Sequence, residues 1–175
     1  IQSQYKLYGR RIGHSLSSKK KKLLSQTLPK INLKQEIADK YLNEKVKKNK
    51  KKITLEIGFG SGENIIYMLN REPDTYFLGC EPFISGVASF LDLLEEKNYD
   101  RIKLFCGDVR VFLEHISENI FSRIIILFPD PWPKSRHHKR RIINKNNLEL
   151  FSKYLVNGGT IYTATDIKDY FNEIK

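Results

Sequence analysis

The stretch "FPDPWPKSRHHKRRIIN", Phe128 to Asn144, sets one carboxylate, Asp130, between two prolines and beside the chain's only tryptophan, Trp132, and follows it at once with a basic run. Proline fixes its own φ and biases the residue before it toward extended geometry. Pro129, Pro131 and Pro133 are therefore expected to hold Asp130 with little freedom. From Lys134 to Lys145 there are six cations and no acid. Such a run is often only a solvated face, but beside an acidic domain it reads as a track for phosphate groups, which give affinity without sequence readout. His137 and His138 are adjacent and diverge on a helix or a strand, so they lack metal-ligand spacing and no metal is expected.

A second set of residues lies in "LEIGFGSGEN", where Glu56 precedes Gly58, Gly60 and Gly62. Glycines here let the backbone bend sharply and let a ligand approach atoms that a Cβ would shield. The dinucleotide spacing G-x-G-x-x-G would need glycine at Glu63, and no P-loop lysine follows, so the turn is a poor phosphate cradle. An acid before the glycines suits a zwitterion instead: Glu56 can pair, directly or through water, with an ammonium group. Glu81 follows Gly62 by 19 residues, where a strand-end carboxylate accepts from ribose hydroxyls. Asp108, in "CGD", can accept from an exocyclic adenine amine. Each acid alone also reads as a cap for the next helix. Three of them at successive strand ends describe S-adenosylmethionine as the cofactor.

These positions make sense only if strands deliver them to one rim. Short apolar runs predict strands at 53–57, 76–80, 102–106, 123–128 and 160–164, and amphipathic patterns between them predict helices at 63–70, 84–97, 109–115, 145–155 and 167–174. An earlier helix is expected over 34–47, with Ile37, Tyr41 and Leu42 at helical spacing, and "NGG" at 157–159 reads as a helix stop. Continuous apolar strands alternating with helices imply an α/β protein with a doubly wound, mostly parallel sheet of Rossmann-like type, in which ligands sit beyond the carboxyl ends of the strands.

The net charge of +11 is unevenly placed: residues 1–52 carry 16 Lys and Arg against 3 acids, whereas residues 53–175 carry 15 against 17. A basic N-terminal arm, residues 1–33, ordered only in part, is expected to precede a domain over residues 34–175. The arm's Arg10, Arg11 and Lys19 to Lys22 are candidates for gripping RNA backbone, although four lysines alone would also suit a nuclear-import signal or an anionic membrane patch. The start at Ile1 suggests missing upstream residues. No apolar run approaches the roughly 20 residues of a membrane span, and Cys80 and Cys106 are too few for a disulfide framework, so a cytoplasmic protein with free thiols is expected.

"LEIGFGSGE", "FLGCEPFISGV", "FPDPWPKSRHHKRRI" and "TATD" together resemble the tRNA (guanine-N7-)-methyltransferase family, from about Tyr8, where "YGRRIGHSLS" is similar to the family's basic N-terminal segment, to the end. The resemblance implies an S-adenosylmethionine-dependent enzyme that methylates the variable-loop guanine of tRNA, with no obligate protein partner. Carried over by motif, Glu56, Glu81, Asp108 and Asp130 contact cofactor, and Asp130 is also the catalytic residue. Lys134 and Asp166 contact substrate, and Arg136, His137, His138, Lys139, Arg140 and Arg141 contact RNA. The family's downstream "TKFE"-like segment is absent, so its C-terminal strands are expected to be missing from this chain.

Two rival readings share part of this pattern. A small-molecule methyltransferase would use the same cofactor turn without the arm or the Lys134 to Lys145 run, and a non-catalytic RNA-binding module would use the basic surface alone. Trp132 either stacks on RNA or packs beside its prolines.

Overall fold

The computed structural model describes residues 5–8, 13, 15–48 and 51–175. Helices α1 (Ser18–Gln26), α2 (Leu28–Ile31) and α3 (Gln35–Asn43), the last continued by a π-helical turn over Glu44–Lys48, lead into the sheet. Then follow β1 (Lys52–Ile57), α4 (Glu63–Arg71), β2 (Thr75–Cys80), α5 (Ile84–Leu93), β3 (Ile102–Phe105), α6 (Val109–Leu113), β4 (Phe121–Leu127), α7 (Lys145–Lys153), β5 (Leu155–Ala164) and α8 (Lys168–Ile174). Short 3-10 turns cover Glu96–Asn98 and Ser135–Arg140.

The strands stand in the order β3-β2-β1-β4-β5, every pair parallel. Because side chains alternate along a strand, both faces must be covered. Ile53, Leu55 and Ile57 of β1, with Ile124 and Ile126 of β4, join one apolar cluster with Leu42, Phe112, Phe151 and Tyr170 from α3, α6, α7 and α8. Phe77 and Ile125 point the other way, into a cluster with Ile65 and Met68 of α4 and Phe90 and Leu91 of α5. The α/β, doubly wound reading is what the chain adopts.

Several boundaries differ from the periodicity, each for a tertiary reason. The 84–97 pattern stops as helix at Leu93, because Leu94 turns extended and tucks into the core. In α3 the inward residues are Ala38 and Leu42, while Ile37 is 54% exposed. "NGG" is not a helix stop. α7 ends at Lys153, and Asn157 to Gly159 lie within β5, in a bulge where two steps along β4, Phe121 to Arg123, face five along β5, Leu155 to Thr160.

The basic segment before residue 34 is partly built into the domain. α1 lies against α5, with Lys19 paired to Asp92 and Lys20 Nζ donating to Ser89 Oγ at 2.8 Å. Ile31 and Leu33 are buried, and the Leu33 N–H donates to the Leu104 carbonyl at 2.8 Å, extending the β3 edge. Arg10 and Arg11 lie outside the described residues.

The glycine turn after β1 separates two roles for glycine. Gly62 caps α4 at φ 78°, and a Cβ built there would come within 2.2 Å of the Phe90 ring, which is fully buried and has no room to give. Gly60, at φ 57°, meets no described residue within 4 Å where its Cβ would be. Gly62→Ala is therefore expected to lose about 2–5 kcal/mol, combining overpacking with left-handed strain, and Gly60→Ala about 1–2 kcal/mol from strain alone. Urea denaturation of both variants checks the order.

Candidate active site

Strand order departs from chain order between β1 and β4, so the loops leaving these two neighbours diverge and open a crevice beyond their carboxyl ends. A cavity of about 490 Å³ lies there. Of the candidate site residues, Gly58, Glu81, Asp108, Asp130 and Arg140 line it, as does Trp132; Glu56, Gly60, Gly62, Lys134, Arg136, His137, His138, Lys139, Arg141 and Asp166 do not.

Glu81 organises the cofactor end. It is buried, its Oε2 accepts from the Gly60 N–H at 2.8 Å, and its Oε1 accepts from the Phe83 N–H at 2.8 Å. Burial pushes its carboxyl above the usual range, the two N–H donors pull it back, and the charge of Asp130 pushes upward again. Each oxygen keeps a second lone pair for a hydroxyl donor. Gly86, at the start of α5, closes on the same turn: a Cβ there would sit 2.7 Å from the Gly60 carbonyl oxygen. Gly58, at φ 71°, has no atom of a described residue within 4 Å of where its Cβ would stand, leaving that side of the turn facing the cavity.

Asp108 occupies the cavity wall already paired. Its Oδ1 caps α6 by accepting from the Arg110 N–H at 2.9 Å, and the Arg110 guanidinium donates to both oxygens, at 3.0 and 2.6 Å. Adenine-amine recognition here would share Asp108 with Arg110, a partner that the sequence reading missed. Its signal was the placement of Arg two residues after a helix-capping Asp. Arg110 also donates to the Lys6 carbonyl at 3.4 Å and lies over the Tyr5 ring, so it holds the N-terminal segment, whose Lys6 to Tyr8 form one side of the cavity.

Asp130 is exposed on the cavity rim, but its loop is not the extended segment that the prolines suggested. Phe128 and Trp132, each preceding a proline, have φ of 46° and 45°. The Phe128 N–H still pairs with the Ala164 carbonyl at 2.8 Å, so the chain must leave the sheet abruptly after it. Trp132 packs edge-on against Tyr8 and His137, with the Arg140 guanidinium 4.9 Å from its ring centre. Left-handed backbone at bulky residues costs about 1–2 kcal/mol each and persists only where the surroundings impose it.

The basic run divides in three. Lys134, Arg136 and Lys139 are exposed. Arg140 is half-buried between the rings of Tyr8 and Trp132, and partial burial and the neighbouring cations push the His137 imidazole below its usual range. Arg141, expected on the RNA track, is 1% exposed and does not belong to that surface. Its Nε donates to the Pro131 carbonyl at 2.8 Å, and its two terminal nitrogens pair with Glu173 and Asp169 of α8. His138 Nε2 lies 3.1 Å from Arg141 Nη2 and 3.6 Å from Asp169, so the histidines face different partners, Trp132 and the Arg141 network. Among the described residues no group of His, Cys, Asp and Glu has the makings of a metal site, and no helix is long and apolar enough to cross a membrane. Asp166 is exposed in the turn between β5 and α8.

Glu56 sits at the end of β1, 4% exposed, its Oε2 accepting from Asn64 Nδ2 at 2.8 Å. Burial pushes its carboxyl up to about 7, the Asn64 hydrogen bond and Arg123 opposing. A raised folded value means that the protonated form is favoured, so the fold loses stability as pH rises from the unfolded value through about 7. Glu56→Gln is expected to flatten this dependence and to gain up to about 3 kcal/mol over the parent at pH 8 but little at pH 4. Urea denaturation at the two pH values checks the sign, and an unchanged dependence would refute it.

Residues 50–175 match the family model described as "Putative methyltransferase". The chain is 44% identical over 127 residues to a tRNA (guanine-N(7)-)-methyltransferase of Wolbachia pipientis wMel, covering 73% of this chain and 58% of that protein. It is 37% identical over 166 residues to one of Chelativorans sp. (strain BNC1), covering 94% of this chain and 72% of that protein. Among solved structures, a putative methyltransferase from Thermoplasma acidophilum superposes with a TM-score of 0.55 at 19% identity, over 71% of this chain and 48% of that one, a likeness of fold. The chain thus spans little more than half of the length of the Wolbachia protein and about 72% of that of the Chelativorans protein. On these similarities the chain belongs to the tRNA (guanine-N7-)-methyltransferase family.

Proposed function

We propose that this protein methylates N7 of the variable-loop guanine of tRNA, guanine 46 in tRNA numbering, using S-adenosylmethionine. The observation that carries the reading is the joining, in one cavity, of the buried acid Glu81 beside the glycine turn and the rim acid Asp130, next to the exposed cations Lys134, Arg136 and Lys139. The names of the relatives agree with it. A cytoplasmic location and division into a basic arm, residues 1–33, and a methyltransferase domain, residues 34–175, belong to the same reading.

The residues present fit the cofactor. The cavity volume is within the roughly 300–1,000 Å³ usual for small-molecule sites. Glu81 has lone pairs for ribose hydroxyls, Gly58, facing the cavity, admits a close approach, and Asp108 stands at the adjoining wall. When bound, the cofactor supplies an electrophilic methyl group on a sulfonium.

Guanine N7 carries an in-plane lone pair and no proton at neutral pH, so the chain needs no strong general base. Its task is alignment and charge placement. Asp130 accepts from guanine N1–H and the 2-amino group, orients N7 and stabilises the positive charge that develops on the purine; Asp166 assists from the neighbouring turn. Lys134 donates to O6 or to a phosphate, and Arg136 and Lys139 hold the backbone of the RNA beside it. Arg140 stiffens the rim through Trp132 and Tyr8 rather than standing free in solvent.

Methyl transfer from labelled cofactor into tRNA, followed by nucleoside analysis, tests the reading: 7-methylguanosine is expected, and any other modified nucleoside would overturn it. Asp130→Asn is expected to lower kcat by about 100-fold or more, with cofactor affinity, measured by calorimetry, changed little. A near-normal rate would remove Asp130 from the catalytic role.

A further inference from the structure

Arg141 lies in the basic run yet is the largest fully buried side chain among the described residues. A guanidinium without partners in such a place would be prohibitively unfavourable. It is instead surrounded: Nε donates to the Pro131 carbonyl, Nη1 to Glu173 and Nη2 to Asp169 at 2.6 Å, and His138 Nε2 lies 3.1 Å from Nη2. Its planar face lies 4.6 Å from the centre of the Tyr170 ring. Tyr170 is itself buried, and its hydroxyl accepts from the Ile143 N–H at 2.9 Å, locking the segment after Arg141 to α8.

What this group ties together is specific. Pro131 directly follows Asp130 and directly precedes Trp132, one of the two strained residues of the loop. Asp169 and Glu173 lie on the helix that begins just after Asp166. One side chain therefore spans the loop after β4 and the element after β5, within three residues of both Asp130 and Asp166. A rigid fork with several donors suits such a junction, and the ammonium of a lysine, with no planar fork, does not reproduce it.

We propose that Arg141 is a positioning residue rather than an RNA contact: it pins the Asp130–Trp132 loop to α8 and so holds Asp130, on the rim, and Asp166, in the turn before α8, in one geometry. The catalytic consequence rests on the methyltransferase reading above; the pinning does not.

The test uses Trp132, the only tryptophan in the chain, as a reporter of the loop. Acrylamide quenching of its fluorescence is measured for the parent, for Arg141→Lys and for Asp169→Asn/Glu173→Gln. The double variant removes the charged partners on α8 without altering a basic residue, and it keeps the test alive if Arg141→Lys fails to fold. Both variants are expected to raise the quenching constant about twofold or more below their cooperative melting transition, as local opening requires. The slope of tRNA affinity against salt is expected to stay unchanged. Unchanged quenching in the double variant would overturn the proposal, as would an Arg141→Lys or Arg141→Ala salt slope shallower by about 1, the mark of a lost phosphate contact. In the methyl-transfer assay the double variant is expected to lose about 10- to 100-fold in kcat with little change in the KM for cofactor. If the parent yields no 7-methylguanosine, the functional reading fails and the quenching result still decides the pinning.

Discussion

The carboxylate of Glu81 is the constraint on which the cofactor end of the cavity depends. One oxygen holds the Gly60 N–H of the turn after β1 and the other the Phe83 N–H at the start of α5, so two loops from adjacent parallel strands are fastened to one buried charge. A buried carboxylate is tolerable only while its acceptors are used, and these donors partly offset the burial that raises its proton affinity. The glycines make the fastening possible. Gly62 leaves space for Phe90, and Gly86 lets α5 close on the Gly60 carbonyl.

The substrate end is built on different physics. Phe128 and Trp132 hold left-handed backbone that no local preference favours, and the surroundings must supply the difference. They do so from three directions: the Ala164 carbonyl of β5 accepts from Phe128, the rings of Tyr8 and His137 and the Arg140 guanidinium enclose Trp132, and Arg141 holds the carbonyl between Asp130 and Trp132. The cations of this loop thus divide by depth. Arg141 organises the loop from inside, Arg140 stiffens it at the wall, and Lys134, Arg136 and Lys139 face solvent.

Much of this was legible in the residues. "RIIILF" is apolar on both strand faces, which only a sheet covered on both sides can use, and the spacing from the glycine turn to Glu81 follows from one β-α-β unit. The misreadings share a cause. "NGG" has the composition of a helix stop but lies within β5, because β4 supplies pairing partners on either side of the bulge. Nor does local pattern show that α5 offers Asp92 and Ser89 to Lys19 and Lys20 of the basic arm.

What the sequence by itself determined is the order of elements, the parallel sheet and the rim to which its acids are delivered, since apolar periodicity and glycine spacing are properties of neighbouring residues. What only the tertiary structure decided is which charges face solvent. Arg140 and Arg141 are adjacent and chemically identical. Arg141 is drawn inside because Asp169 and Glu173, 28 and 32 residues further along, fold back against it, and Arg140 is stacked because Tyr8 arrives from the other end of the chain. Partners that distant leave no mark in local pattern, and burial of a charge is settled by whether such partners arrive.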